Sequence, residues 1–135
     1  MGRGKYLNCG IASERRKYNV KRLAEPDREV VSRVLQEVGF AERIVGYQVR
    51  ERSGPMAKSL YSFEEVCDFL HDQFPVLAFE ELTRWLRVVM RDEELALKVA
   101  EAVEHGHTDY ERTRRIRELM GERLMQCKKA RGSMA

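Results

Sequence analysis

Apolar residues recur at helical spacing through the second half of the chain, from Ser62 to Lys129. This periodicity predicts four successive amphipathic helices, each with one apolar face. The first helix of this block is predicted to run from Ser62 to Phe74, because Pro75 lacks an amide hydrogen and biases the residue before it away from helical geometry. The other three helices are predicted at about Phe79–Arg91, Glu93–Glu104 and Asp109–Lys129.

Polar residues at the helix starts support these boundaries. Ser62–Glu65 and Thr108–Glu111 each have the pattern of a capping box, in which a hydroxyl and a glutamate satisfy the first free amides of a helix. Asp92 is expected to cap the third helix of this block. Gly106 is expected to end that helix in the left-handed conformation that glycine tolerates.

The first half of the chain contains one further clear helical pattern. Pro26 stands where helices commonly begin, and the acids that follow it suit a first turn. Gly39 is the predicted end. The apolar face of this helix, which is helix 1 of the whole chain, consists of Val30, Val31, Val34, Leu35 and Val38.

Residues 43–61 allow two interpretations. Val45, Tyr47 and Val49 alternate with other residues as in a strand, and Ser53–Pro55 is typical of a turn, so a β-hairpin is favoured. The alternative is a helix over Phe40–Val49. Gly46 weakens that alternative by about 1 kcal/mol relative to alanine.

These elements predict a mainly α fold. We expect one five-helix domain, orthogonal or bundle-like, with one small β-hairpin between helices 1 and 2. A chain of 135 residues is long enough for one domain with its own core. The predicted organisation is a flexible basic arm at 1–24, a single helical domain at 25–129 and a frayed tail at 130–135.

Composition narrows the class of protein. A hydrophobic fraction of 43% argues against global disorder. No apolar run is long enough for a membrane span, and the first residues do not resemble a secretory signal. The cysteines, Cys9, Cys67 and Cys127, are odd in number and widely spaced, unlike a disulfide framework. A cytoplasmic protein without a membrane partner is therefore expected.

Charge is distributed unevenly along the chain. Residues 1–24 contain seven basic residues and one acid, a net +6, and residues 112–135 contain eight basic residues and two acids, again +6. The intervening segment contains ten basic and nineteen acidic residues, a net −9. Two basic ends that flank an acidic middle raise the possibility of a polyanionic partner.

A nucleic-acid interface is one interpretation of the basic ends. The arm interleaves tyrosines with cations that could meet phosphates, and the last helix begins with arginines, as the second helix of a helix-turn-helix does. The opposing interpretation is a solvated surface or an internal partner for the acidic middle. The candidate contact residues are Arg15, Arg16, Lys17, Lys21, Arg22, Arg112, Arg114, Arg115 and Arg117.

Two constellations could carry chemistry. Cys67 and His71 are four residues apart on one helix, an arrangement that can activate a thiol, but Cys67 lies in the apolar face. His105 and His107 flank a turn and could begin a metal site, yet no other ligands stand at suitable spacing. We therefore predict no catalytic residue, no metal ligand and no cofactor.

The sequence as a whole favours a small non-enzymatic interaction or adaptor domain with an unidentified protein partner. The alternative is a nucleic-acid-binding protein that uses the basic arm and the last helix. A cysteine-dependent enzyme is the third and weakest hypothesis.

Overall fold

The computed structural model describes residues 23–50, 52, 54–72 and 75–134. The described residues form five α-helices and three β-strands, so the predicted mainly α fold with a hairpin between helices 1 and 2 is confirmed. None of the described helices is both long enough and apolar enough to cross a membrane. The elements are α1 (Arg28–Val34), a 3₁₀ turn (Phe40–Glu42), β1 (Ile44–Arg50), β2 (Gly54–Leu60), α2 (Phe63–Phe69), β3 (Pro75–Val76), α3 (Phe79–Val88), α4 (Glu93–His105) and α5 (Asp109–Met134).

Helix α5 is the element around which the others pack. It contacts α1, α2 and α4, while α3 packs on α4 and also touches β1. The predicted apolar face of α5 is buried, with Ile116, Met120 and Cys127 fully inaccessible. The helix extends through Met134, beyond its predicted end at Lys129.

Helix α1 begins close to the predicted start but ends early. The side chain of Asp27 caps it by accepting a hydrogen bond from the amide of Val30 at 2.9 Å. The predicted extension to Val38 is wrong, since the helix stops at Val34. The amide of Val38 instead donates to the carbonyl of Tyr61 at 2.7 Å, so this segment pairs with a distant part of the chain.

The hairpin over residues 43–61 is confirmed, and the alternative helix is not formed. Strands β1 and β2 are antiparallel, with Ile44 opposite Leu60 at one end and Arg50 opposite Gly54 at the other. The short strand β3 pairs with the other edge of β1, which makes the sheet three-stranded in the order β2-β1-β3. This third strand was not predicted.

Gly46 is required where the sheet meets α2. A β-carbon at this position would lie 2.6 Å from the ring of Phe69, closer than van der Waals contact permits. Phe69 is 1% exposed and packs directly on the strand backbone. The glycine that argued against a helix in the sequence therefore allows a close approach between strand and helix.

Two of the helices in the second half end before their predicted boundaries. Helix α2 ends at Phe69 rather than at Phe74, and Pro75 begins β3 instead of ending a helix; Phe74 itself lies outside the described residues. Helix α3 ends at Val88, and the chain turns at Arg91, which has a positive φ of 59°.

Both predicted capping boxes form their hydroxyl half. The cap hydroxyl of Ser62–Glu65 and that of Thr108–Glu111 each accept from the amide of the glutamate at 3.1 Å. Each glutamate reaches one residue further back than the motif predicts. The donating amides are those of Tyr61, at 2.6 Å, and His107, at 3.3 Å.

A buried arginine joins α5 to the start of α4. Arg123 is 1% exposed, and its guanidinium holds the 2% exposed Asp92 through two hydrogen bonds of 2.8 and 3.2 Å. Asp92 also caps α4, as predicted, by accepting from the amide of Leu95. The other guanidinium hydrogens are donated to the Ala24 carbonyl, Gln126 and Glu94, so all five donors are used.

The same network fixes the start of the described chain. Leu23 is buried, its amide donates to Glu122, and its carbonyl accepts from Gln126. The amide of Ala24 donates to the carboxylate of Glu94. Of the predicted flexible arm, Leu23 is thus packed into the domain and Ala24 is held to it by hydrogen bonds, while residues 1–22 lie outside the described residues.

Candidate binding groove

A surface groove of about 430 Å³ lies between the start of α5, the β1–β3 side of the sheet and α3. This volume is within the range of roughly 300–1,000 Å³ that ligand pockets occupy. Its floor is apolar and consists of Val49, Leu70, Pro75, Val76, Leu77, Phe79 and Leu82. Its rim is polar and consists of Asp72, Asp109, Tyr110, Thr113, Arg114 and Arg117.

The groove continues onto an exposed apolar part of the sheet. Tyr47, Val49 and Val76 are 46%, 44% and 47% exposed. Tyr47 and Val49 alternate with inward-facing residues of β1, and Val76 pairs with Tyr47, so all three lie on the same side of the sheet. We call these three residues the outer sheet face. Val49 and Val76 belong both to this face and to the groove, and the two surfaces are continuous.

The arginines of the rim have no internal partner among the residues that the structure describes. Arg114 is exposed and Arg117 is half-buried, and they are three residues apart on one side of α5. Neither forms a hydrogen bond or salt bridge with any residue that the structure describes. Of the rim acids, Asp109 is paired with the charge of Arg112, whereas Asp72 accepts a hydrogen bond from the neutral amide of Gln48. Two arginines without a described partner thus face one unpaired carboxylate, and the balance of charge at the groove is positive.

The other two arginines predicted on this helix have internal contacts. Arg112 folds back over the end of α4 and donates to the carbonyls of Val103, at 2.9 Å, and Gly106, at 2.8 Å. Arg115 lies 3.3 Å from Glu118. Only Arg114 and Arg117 of the four thus meet at the groove, and a role for any of the four in nucleic-acid binding stays a prediction. Arg15, Arg16, Lys17, Lys21 and Arg22 lie outside the described residues.

The contact of Arg112 also explains Gly106. The predicted left-handed conformation is wrong, since Gly106 has φ −73° and ψ 144°, which is extended. A β-carbon there would lie 2.5 Å from Cγ of Arg112 and 3.0 Å from the carbonyl oxygen of Ala102. Glycine at this position makes room for the arginine that satisfies the last carbonyls of α4.

The geometry around Cys67 and His71 does not activate the thiol. Burial, with smaller contributions from Asp68 and Glu64, raises the pKa of the Cys67 thiol to about 12, so it is protonated at neutral pH. Nδ1 of His71 donates to the backbone carbonyl of Cys67 at 2.8 Å rather than engaging the sulfur. Burial likewise raises the pKa of Cys127 to about 11.

His105 and His107, which were considered as the start of a metal site, are not accompanied by further metal ligands among the described residues. His105 has Nε2 at 3.6 Å from Glu104, and both side chains are largely exposed. Among the residues described, no three or more histidine, cysteine, aspartate or glutamate side chains are grouped to hold a metal ion.

No protein-family model, curated protein or solved structure significantly resembles this chain. The groove is therefore interpreted from its own residues. One sequence signal could have revealed its rim: positions 110, 113, 114 and 117 are spaced i, i+3, i+4 and i+7, which places them on one side of a helix.

Proposed function

We propose that the protein is a non-enzymatic interaction domain that binds a segment of a partner protein in the groove. The observation that carries this proposal is an open groove with an apolar floor that continues into exposed apolar residues of the sheet. Contiguous exposed apolar surface of this kind commonly marks an interaction site. A cytoplasmic location is part of the proposal, because the free thiols of Cys67 and Cys127 suit a reducing compartment.

The expected affinity is moderate. Complete burial of an aliphatic or aromatic side chain contributes about 1.5–3 kcal/mol, and the three side chains of the outer sheet face are already about half covered. Apolar side chains of the partner that enter the floor add similar amounts. Association itself costs about 4–15 kcal/mol, which offsets much of this gain, so a modest net affinity and a transient complex are expected.

A peptide-display selection tests this proposal. The wild-type domain is used to select peptides, and the selected peptides are then titrated against two matched variants. Val76→Glu places a charge where the groove joins the outer sheet face. Val88→Glu makes the same change at a 57% exposed valine of α3 that does not line the groove.

We expect Val76→Glu to weaken binding at least tenfold and Val88→Glu to leave it unchanged, with both variants retaining the wild-type circular dichroism spectrum. A selection that enriches no peptide contradicts the proposal. So do enriched peptides that bind both variants equally.

Nucleic-acid binding is the second candidate, and one observation favours it. Tyr110 is 76% exposed and lies on the same rim as Arg114 and Arg117, which is a suitable arrangement for stacking a base beside its phosphate. Asp72 and Asp109 on that rim oppose it. Anisotropy titrations with random single-stranded and duplex oligonucleotides at 50–200 mM salt decide the matter. Two phosphate contacts predict a log–log salt slope of about −2, and absence of binding at low salt removes this candidate.

A further inference from the structure

We infer that the groove selects partner segments in which an acidic side chain lies close to an apolar one. This inference rests on the proposed function and specifies the chemistry of the partner. It begins from the two rim arginines, whose charges are not balanced by any contact with the described residues.

Arg114 and Arg117 are positioned to share one anionic group. Side chains three residues apart on a helix have β-carbons about 5–6 Å apart, so both guanidinium groups can approach the same carboxylate. Arginine is well suited to this, because its planar donors match the two oxygens of a carboxylate. Two neighbouring cations repel each other when the groove is empty, and a bound anion relieves that repulsion.

The rim acids leave the arginine pair as the main attraction for a partner carboxylate. Asp109 lies eight residues before Arg117, about 12 Å along the helix, and its charge is paired with Arg112. Asp72 accepts a hydrogen bond from the neutral amide of Gln48 and keeps its charge. Two arginines therefore face one unpaired acid, and a partner carboxylate is attracted toward Arg114 and Arg117.

The floor determines that the partner also has an apolar side chain. Leu70 and Leu82 are at most 2% exposed, whereas Val49 and Val76 are nearly half exposed, so the valines present the accessible apolar surface of the floor. The phosphates of a nucleic acid would meet the acids on the rim, and its bases stack on aromatic rings rather than on aliphatic side chains. An acidic peptide satisfies both the floor and the arginines, which favours it over a nucleic acid.

A set of synthetic peptides tests the inference. Fluorescein-labelled hexapeptides are made with a central leucine or phenylalanine and with glutamate, glutamine or lysine at each of the other positions in turn. Fluorescence anisotropy gives the affinity of each peptide for the wild type and for three double variants. These are Arg114→Gln/Arg117→Gln, Arg114→Glu/Arg117→Glu and the control Lys129→Glu/Arg131→Glu, whose residues are exposed on the same helix outside the groove.

For the wild type, we expect at least one glutamate position to improve affinity tenfold over its glutamine counterpart. The glutamine variant loses this preference, the glutamate variant reverses it in favour of lysine, and the control variant retains it. Melting temperatures of both groove variants are expected to match the wild type, because neither arginine is used within the described fold.

Failure of the inference is distinguishable from failure of the proposed function. Peptides that bind equally well with glutamate and glutamine overturn the inference and leave the groove as an apolar docking site. Binding that the control variant abolishes as strongly as the groove variants also overturns it. Absence of binding by every peptide contradicts both the inference and the proposed function. Displacement of bound peptide by a random single-stranded oligonucleotide at equal concentration overturns the inference and assigns the arginines to a nucleic acid instead.

Discussion

Replacing Arg123 with methionine tests the buried network on which the packing of α4, α5 and residues 23–24 depends. The side chain is 1% exposed and holds Asp92, Glu94 and the carbonyl of Ala24. Methionine is long, flexible and apolar, so it fills much of the same space without the charge. The substitution therefore removes the ionic contacts while limiting the loss of packing.

The expected cost is large because a charge is left behind. Asp92 is 2% exposed, and without Arg123 its carboxylate is buried with no cation. Removing one partner of a buried ion pair typically costs about 3–5 kcal/mol. A domain of this size is usually stable by about 5–15 kcal/mol, so Arg123→Met is expected to lose a large fraction of the total.

A double-mutant cycle separates the charge from the packing. Asp92→Asn removes the carboxylate but keeps a side chain that caps α4 as well as aspartate does. The double variant Arg123→Met/Asp92→Asn contains no buried aspartate charge. Its cost is expected to be smaller than the sum of the two single costs by about 2 kcal/mol.

Urea unfolding followed by circular dichroism at neutral pH measures all four proteins of this cycle. A stability of Arg123→Met within about 1 kcal/mol of the wild type would show that the buried charge does not dominate the effect. Two single costs that simply add would lead to the same conclusion.

Three further predictions concern single residues. Burial alone would raise the pKa of Glu94, but hydrogen bonds from a backbone amide and from the buried arginine, with its charge, lower it below the ordinary 4.5. The contribution of Glu94 to stability is therefore complete above pH 4.5 and is lost as the pH falls through the folded-state pKa. Urea unfolding should show that the difference in unfolding free energy between wild type and Glu94→Gln becomes smaller in acid. Gly106→Ala should destabilise the domain by about 1–2 kcal/mol by displacing Arg112, and this cost should shrink in an Arg112→Ala background, where only the 3.0 Å approach to the Ala102 carbonyl oxygen remains; an equal cost in both backgrounds excludes the arginine contact as the cause. Arg91→Gly should relieve up to about 1 kcal/mol of strain at positive φ and so raise the melting temperature. A lowered melting temperature would show that the 3.8 Å ion pair of Arg91 with Glu29 matters more.

Local signals in the sequence predicted most helix starts and the hairpin. The caps Ser62, Asp92 and Thr108 depend only on residues a few positions away, which is why a sequence pattern can identify them. The end of α1 depends on a hydrogen bond between Val38 and Tyr61, more than twenty residues later, and no local pattern contains that information. Two-residue strands such as β3 have no periodicity to detect.

Arg123 shows a signal that was present but not used. It follows Ile116 by seven residues and precedes Cys127 by four, so helical periodicity places it within the apolar face of α5. The run of basic residues made it resemble the other arginines of the helix. A buried arginine requires carboxylate partners, and these come from α4, whose position relative to α5 the sequence pattern does not specify.

The groove was harder to predict than its rim. The rim follows from spacing along α5, but the floor is assembled from β1, β3, α3 and the end of α2, which are separate in sequence. Whether an arginine at the rim has an internal partner also depends on tertiary packing. Arg112 and Arg114 are nearly adjacent in the chain, yet only Arg112 bonds to the end of α4.

Chemical-shift mapping of a bound acidic peptide shows whether the groove is the surface that the peptide contacts. The ¹⁵N-labelled domain is titrated with the tightest glutamate-containing hexapeptide, and amide shifts are followed residue by residue. We expect the largest changes at Val76, Tyr110 and Thr113, and we expect them to saturate with one dissociation constant. Largest changes at Leu97 and Met125, which are exposed apolar residues outside the groove, would contradict it.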